Sequence, residues 1–100
     1  MGLWAFHCTD GEHGATLRET HLQAHLAHVK THIGRYAVAG PLKQGDRTVG
    51  SLLVIEADNE KAARSFFETD PYFLAGVWQA IRSHEFRAVA GEWVGGLAWE

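Results

Sequence analysis

Apolar positions recur at helical spacing between residues 17 and 33. Leu22, Leu26, Val29 and Ile33 follow one another by four, three and four residues, the period of an amphipathic helix. This stripe reads as the face that packs on a sheet. One position off it, Arg18, His21, His25, His28 and His32 make a second stripe, so a guanidinium and a row of imidazoles border the apolar face. Thr16 with Glu19 three residues later fits a capping box at the helix start. Gly34 suits the left-handed stop at its end.

The remaining pattern predicts four strands and a second helix. Residues 3–8 form an aromatic-rich apolar run closed by the turn residues Thr9, Asp10 and Gly11. Residues 35–39 read as a strand stopped by Gly40 and Pro41, because proline cannot donate to a sheet ladder. After a polar turn at residues 43–46, residues 48–57 contain the run Leu52, Leu53, Val54, Ile55 of a central strand, giving a hairpin with a longer loop. Asp58, Asn59 and Glu60 start a helix carrying Ala62, Ala63, Phe66 and Phe67, and Asp70-Pro71 ends it. Residues 72–76 suit a turn or short helix, and residues 77–89 hold the last strand. The order strand, helix, strand, strand, helix, strand is the split βαβ pattern, an α+β ferredoxin-like βαββαβ fold with an antiparallel sheet covered by helices on one face.

Length and composition add an expectation about assembly. One hundred residues, 46% of them hydrophobic, predict a single domain over residues 1–100 with a high ratio of surface to volume. The open sheet face and four tryptophans predict a homodimer in which two sheets pack into a barrel. Residues 91–100, rich in Gly and Trp, extend beyond a core at about residues 3–90 and read as an arm folding onto a neighbour, since disordered tails are poor in aromatics.

Charge narrows the partners. A net charge of −3 with scattered Lys and Arg shows no footprint for a phosphate backbone, so no nucleic acid is expected. The single Cys8 rules out an internal disulfide, and no stretch reads as a membrane span or a leader, which predicts a cytoplasmic protein without a membrane partner. Cys8 reads as packing rather than as a nucleophile.

Arg18 followed by His25-Leu26, then Ala39-Gly40-Pro41-Leu42, Val49-Gly50-Ser51-Leu52, and Asp70-Pro71-Tyr72 with Ala75-Gly76-Val77 form an ordered set of short motifs. Together they resemble the YciI-like (YCII-related) family. The resemblance implies a dimeric α+β barrel of ferredoxin-like protomers with a His and Asp pair at the active site. Here those positions are His25 and Asp70; His21, also followed by Leu and three residues after Arg18, is a rival for the histidine.

The chemistry open to these residue types is general acid and base catalysis. A carboxylate on one ring nitrogen fixes the tautomer of a histidine and raises the basicity of the other nitrogen. Arg18 offers a fork for a carboxylate or enolate oxygen. Gly40 and Pro41 would let backbone approach the substrate, Ser51 would donate a hydrogen bond, and His21 and Tyr72 complete the expected contacts. A lyase or isomerase acting on a small anionic, ring-derived substrate without metal or organic cofactor is the expected function. Two alternatives stand beside it. His21-x-x-x-His25, with His28 or Asp70, has the spacing of a transition-metal site but lacks the glutamate of hydrolytic zinc helices, and the pattern also fits a ligand-binding or accessory dimer without catalysis.

Overall fold

Alternation along the first strand places Phe6 and Cys8 inward and His7 and Thr9 outward, and the computed structural model, which describes residues 1–98, builds its core on that alternation. Strand β1 spans Gly2–Asp10, helix α1 Gly14–Thr31, β2 Tyr36–Gln44, β3 Arg47–Ala57, α2 Glu60–Phe67, α3 Pro71–Ala75 and β4 Trp78–Phe86. These strands form one antiparallel sheet in the order β2-β3-β1-β4, the ferredoxin-like arrangement expected from the pattern. The register pairs Phe6 with Leu53 and Cys8 with Ser51, so both central strands present the same face to the helices.

On that face Phe6 stacks on Phe67 of α2 with ring centroids 4.4 Å apart, and Ile55, Ala63, Val77 and Trp78 close the cluster. Full burial of one such phenylalanine contributes about 2–3 kcal/mol. Helix α2 earns its place through Ala63, Phe66 and Phe67 on one side and through Asn59, whose side chain accepts from the Ala62 amide at 2.8 Å. In α3, Asp70 caps the N-terminus, Pro71 occupies the first turn, and Gly76 closes it in the left-handed conformation at φ 81°.

Several expectations are corrected. Helix α1 begins at Gly14 without a side-chain cap, so Thr16 and Glu19 are already inside it. It ends at Thr31, and Gly34 lies in a 3-10 turn, Ile33–Arg35, that runs straight into β2. Gly40 and Pro41 do not stop β2. That strand is the sheet edge, where proline costs no ladder bond on the solvent side, and the hairpin closes tightly at Gly45 and Asp46, with Gly45 at φ 62°. The last strand ends at Phe86, short of residue 89.

The largest correction concerns α1. Leu22, Leu26 and Ile33 are 40%, 50% and 65% exposed, so their stripe is not core. The helix leans instead through its histidine flank: His25 rests on Tyr72, and His28 and His32 rest on Phe66. Its apolar stripe is thereby held off the sheet edge.

Beyond β4 the tail turns back in a small hairpin, β5 (Ala90–Gly91) and β6 (Gly96–Leu97), with Trp93 at its tip 88% exposed. Trp99 and Glu100, part of the arm expected from the sequence, lie outside the described residues. Among those described, no helix is long and apolar enough to cross a membrane.

Candidate functional site

Holding α1 off the sheet edge opens a cavity of about 310 Å³. Leu22, Leu26 and Val29 wall it from the helix, Ala39, Gly40 and Pro41 from β2, and Leu53 from β3. The stripe that resembled a core face lines a ligand-sized hollow. At one end the apolar lining gives way to Arg18, His25, Ser51 and Tyr72, the few convergent polar groups that mark a binding site.

His25 Nδ1 lies 2.8 Å from Asp70 Oδ1, across 45 residues of chain. The carboxylate accepts, so Nδ1 carries a proton, and in the neutral imidazole Nε2 keeps the lone pair. The His25 side chain is 17% exposed and that of Asp70 1%. Asp70 Oδ1 also accepts from the Tyr72 amide at 2.8 Å, so the residue that caps α3 also orients the imidazole. Oδ2 is buried with no partner among the described residues.

Arg18 is anchored rather than free. Its Nε and Nη2 donate to Asp10 Oδ2 and Oδ1 at 2.8 and 2.9 Å, a bidentate pair. Nη2 also reaches the Gly50 carbonyl at 3.0 Å and Ser51 Oγ at 2.8 Å. All these bonds fall on Nε and Nη2, and Nη1 bonds none of the described residues. Because Ser51 Oγ accepts from the guanidinium, its own proton is available to donate. Gly14 makes the anchor possible, since a side chain there would collide with Asp10, and Arg18 sits one turn further along α1. Asp10 escaped sequence reading because aspartate before glycine is ordinary turn chemistry; the only signal was its spacing to Gly14 and Arg18.

Tyr72 contributes its ring. It lies against His25, its hydroxyl donates to the Arg18 carbonyl at 3.2 Å, and burial raises its pKa above the ordinary phenol value. Cys8, beneath the site, is pushed up to about 12 by burial, with the Asp70 charge adding to it. Such a thiol is not a nucleophile. His28 is lowered from its ordinary value by burial.

Of the residues singled out in the sequence, Arg18, His25, Gly40, Pro41, Ser51 and Tyr72 line the cavity and Asp70 stands behind His25. His21 does not line it. A side chain at Gly40 would meet no atom of the protein within 4 Å. Among the described residues no three His, Cys, Asp or Glu side chains are grouped to hold a metal ion, which leaves the His21-x-x-x-His25 spacing without a third ligand.

Comparison with known proteins agrees with the architecture. A family model of the YCII-related domain matches residues 2–87. The fold is similar to the solved structure of 5-chloro-2-hydroxyhydroquinone dehydrochlorinase (TftG) from Burkholderia phenoliruptrix, in complex with 2,5-dihydroxybenzoquinone. The two share 26% sequence identity at a TM-score of 0.74, over 90% of this chain and 96% of that one. No curated protein matches the chain.

Proposed function

The chain belongs to the YCII-related domain family, and from that premise we propose that it is a lyase- or isomerase-type enzyme that moves a proton on a small ring-derived substrate, with His25 as general base and acid. The observation that carries this reading is the 2.8 Å bond from His25 Nδ1 to Asp70, beside a cavity of about 310 Å³. A substrate hydroxyl gives its proton to His25 Nε2, and Asp70 steadies the imidazolium that forms. Ser51 Oγ–H and Arg18 Nη1 donate to the oxygen as it gains charge. His25 then returns the proton to a ring carbon, which gives the keto isomer. Where that carbon bears a halide, loss of a second hydroxyl proton drives the electron pair through the ring and expels the halide as an anion, which completes an elimination. The dehydrochlorinase with the similar fold, solved in complex with 2,5-dihydroxybenzoquinone, supports ring-borne oxygens as the reacting groups.

The test is turnover of 5-chloro-2-hydroxyhydroquinone and related hydroxylated rings, followed by ultraviolet absorbance. Replacing His25 by Ala lowers kcat by about 10²-fold or more. Unchanged turnover in that variant sinks the assignment.

The protein works as a homodimer packed through the sheet face away from the helices. That face presents Leu3, Leu52, Val54 and Phe86 around a hollow of about 490 Å³ that the tail borders with Trp93, an apolar surface of the kind that marks an interface. Light scattering reports a dimer for the parent and a monomer for Leu52→Asp; an unaltered mass in the variant contradicts the packing.

A further inference from the structure

We infer that the cavity takes a neutral ring carrying a hydroxyl and an adjacent uncharged oxygen on one edge and apolar substituents on the other, and that Asp10 is the residue that turns carboxylates away. This rests on the reading of His25 as the proton acceptor. It replaces the anionic substrate expected from the sequence with one that becomes anionic only as its proton leaves.

The charges at the polar end do not favour an entering anion. Arg18 brings one positive charge, Asp10 and Asp70 one negative charge each, and a neutral His25 none, so the set sums to minus one. All four side chains are at most 17% exposed, and charges so placed are weakly screened. The part of Arg18 that would grip a carboxylate in two-pronged fashion is already closed on Asp10.

The unspent hydrogen-bonding atoms give the same sign. On the side chains that line the cavity they are one acceptor, His25 Nε2, and two donors, Ser51 Oγ–H and Arg18 Nη1, Asp70 Oδ2 being buried behind the lining. A carboxylate has no proton for Nε2 and leaves that nitrogen unpaired in a largely desolvated place, whereas a hydroxyl satisfies it and a neighbouring oxygen takes the donors. The rest of the lining includes Leu22, Leu26, Val29 and Leu53. A charged group on that edge of the ring would be buried without a partner, while a methyl, ethyl or halogen fills the space.

Isothermal titration calorimetry at neutral pH tests this with three probes: 4-ethylcatechol, 4-ethylbenzoate, and 3,4-dihydroxybenzoate, which carries a carboxylate where the first has its ethyl group. The parent protein binds 4-ethylcatechol about tenfold or more tighter than either carboxylate. Asp10→Asn, which releases the Arg18 fork, strengthens 4-ethylbenzoate about tenfold and changes 4-ethylcatechol far less. Equal or tighter binding of 4-ethylbenzoate by the parent overturns the inference, and this comparison decides it even where Asp10→Asn does not fold. If the parent prefers carboxylates while His25→Ala still abolishes turnover, the neutral-substrate inference falls and the general-base reading stands. If Leu26→Trp, which fills the cavity, leaves 4-ethylcatechol binding intact, the cavity is not the site and both fall.

Discussion

The His25 imidazole lies flat on the Tyr72 ring, with centroids 3.9 Å apart and 3° between the planes. The Arg18 guanidinium stands 5.3 Å from the same ring, and the Tyr72 hydroxyl holds the backbone of α1 at Arg18. One aromatic plate therefore aligns the proposed base and the proposed oxygen donor. Tyr72→Phe keeps the plate and loses one hydrogen bond, so it costs about 1 kcal/mol in chemical denaturation and leaves kcat within a few-fold. Tyr72→Ala removes the support, with a loss of about 3–5 kcal/mol and a marked drop in kcat, since a base displaced by an ångström loses its effective concentration. Identical behaviour of the two variants would show that the hydroxyl, not the plate, matters.

Asp70 serves stability and proposed chemistry through one atom, Oδ1, which accepts from both the Tyr72 amide and His25. An asparagine oxygen can accept both bonds but brings no charge to steady an imidazolium. Asp70→Asn accordingly lowers kcat by about tenfold or more while costing only about 1–2 kcal/mol of stability, part of it from an amide group buried where Oδ2 had no partner. Asp70→Ala loses the helix cap as well, a further cost of about 1 kcal/mol. Urea titrations beside single-turnover rates separate the two effects. Full activity in Asp70→Asn would leave the residue with a capping role alone.

Much of the architecture was legible because local signals agreed with the global one. Phe6 and Cys8 alternate with polar neighbours, and Ala63, Phe66 and Phe67 lie at helical spacing behind an Asn cap, so each element predicts its own buried face. What α1 faces was not legible. A stripe at Leu22, Leu26 and Val29 declares an apolar side, but whether a sheet or a ligand cavity lies opposite depends on how far Tyr72 and Phe66 hold the helix away. Pro41 departs from the sequence pattern for a similar reason: a residue that breaks a central strand is at home on an edge, and sheet order is decided by elements far along the chain. Asp10 was hidden by its setting, since its partner Arg18 comes into reach only after the chain has turned at Gly11 and started a helix at Gly14.

Two glycines on neighbouring strands respond oppositely to a methyl group. At Gly50 it would drive into the Cys8 carbonyl oxygen, backbone that cannot yield without opening the β1–β3 pairing. At Gly40 it would meet nothing within 4 Å, and glycine inside a strand is disfavoured by its conformational entropy. Gly50→Ala thus costs about 3 kcal/mol or more, at the severe end for single substitutions, whereas Gly40→Ala is neutral or stabilising by up to about 1 kcal/mol. Thermal melts of the two proteins decide the matter. Loss of fold in Gly40→Ala would mean that β2 approaches a neighbour more closely than the cavity wall suggests.

Burial gives Cys8 and the alkaline limb of stability a shared cause. The thiol is raised from 9.0 to about 12, so it stays protonated through pH 8 in the folded protein and becomes partly thiolate only on unfolding. Iodoacetamide at pH 8 therefore labels the unfolded chain about a thousandfold or more faster than the native one, as the thiolate is the reacting species. The linkage has a definite sign. Between pH 9 and 12 the unfolded state has released the proton that the folded state keeps, so the folded state binds more protons and stability falls as pH rises. Tyr36, also raised to about 12 by burial, acts in the same direction from pH 10 upward. The urea midpoint drops steadily from pH 9 to 11, and Cys8→Ala flattens the first part of that decline while Tyr36→Phe flattens the later part. A midpoint insensitive to pH over this range would mean that water reaches Cys8 and that the sheet-to-helix core is not sealed beneath the site.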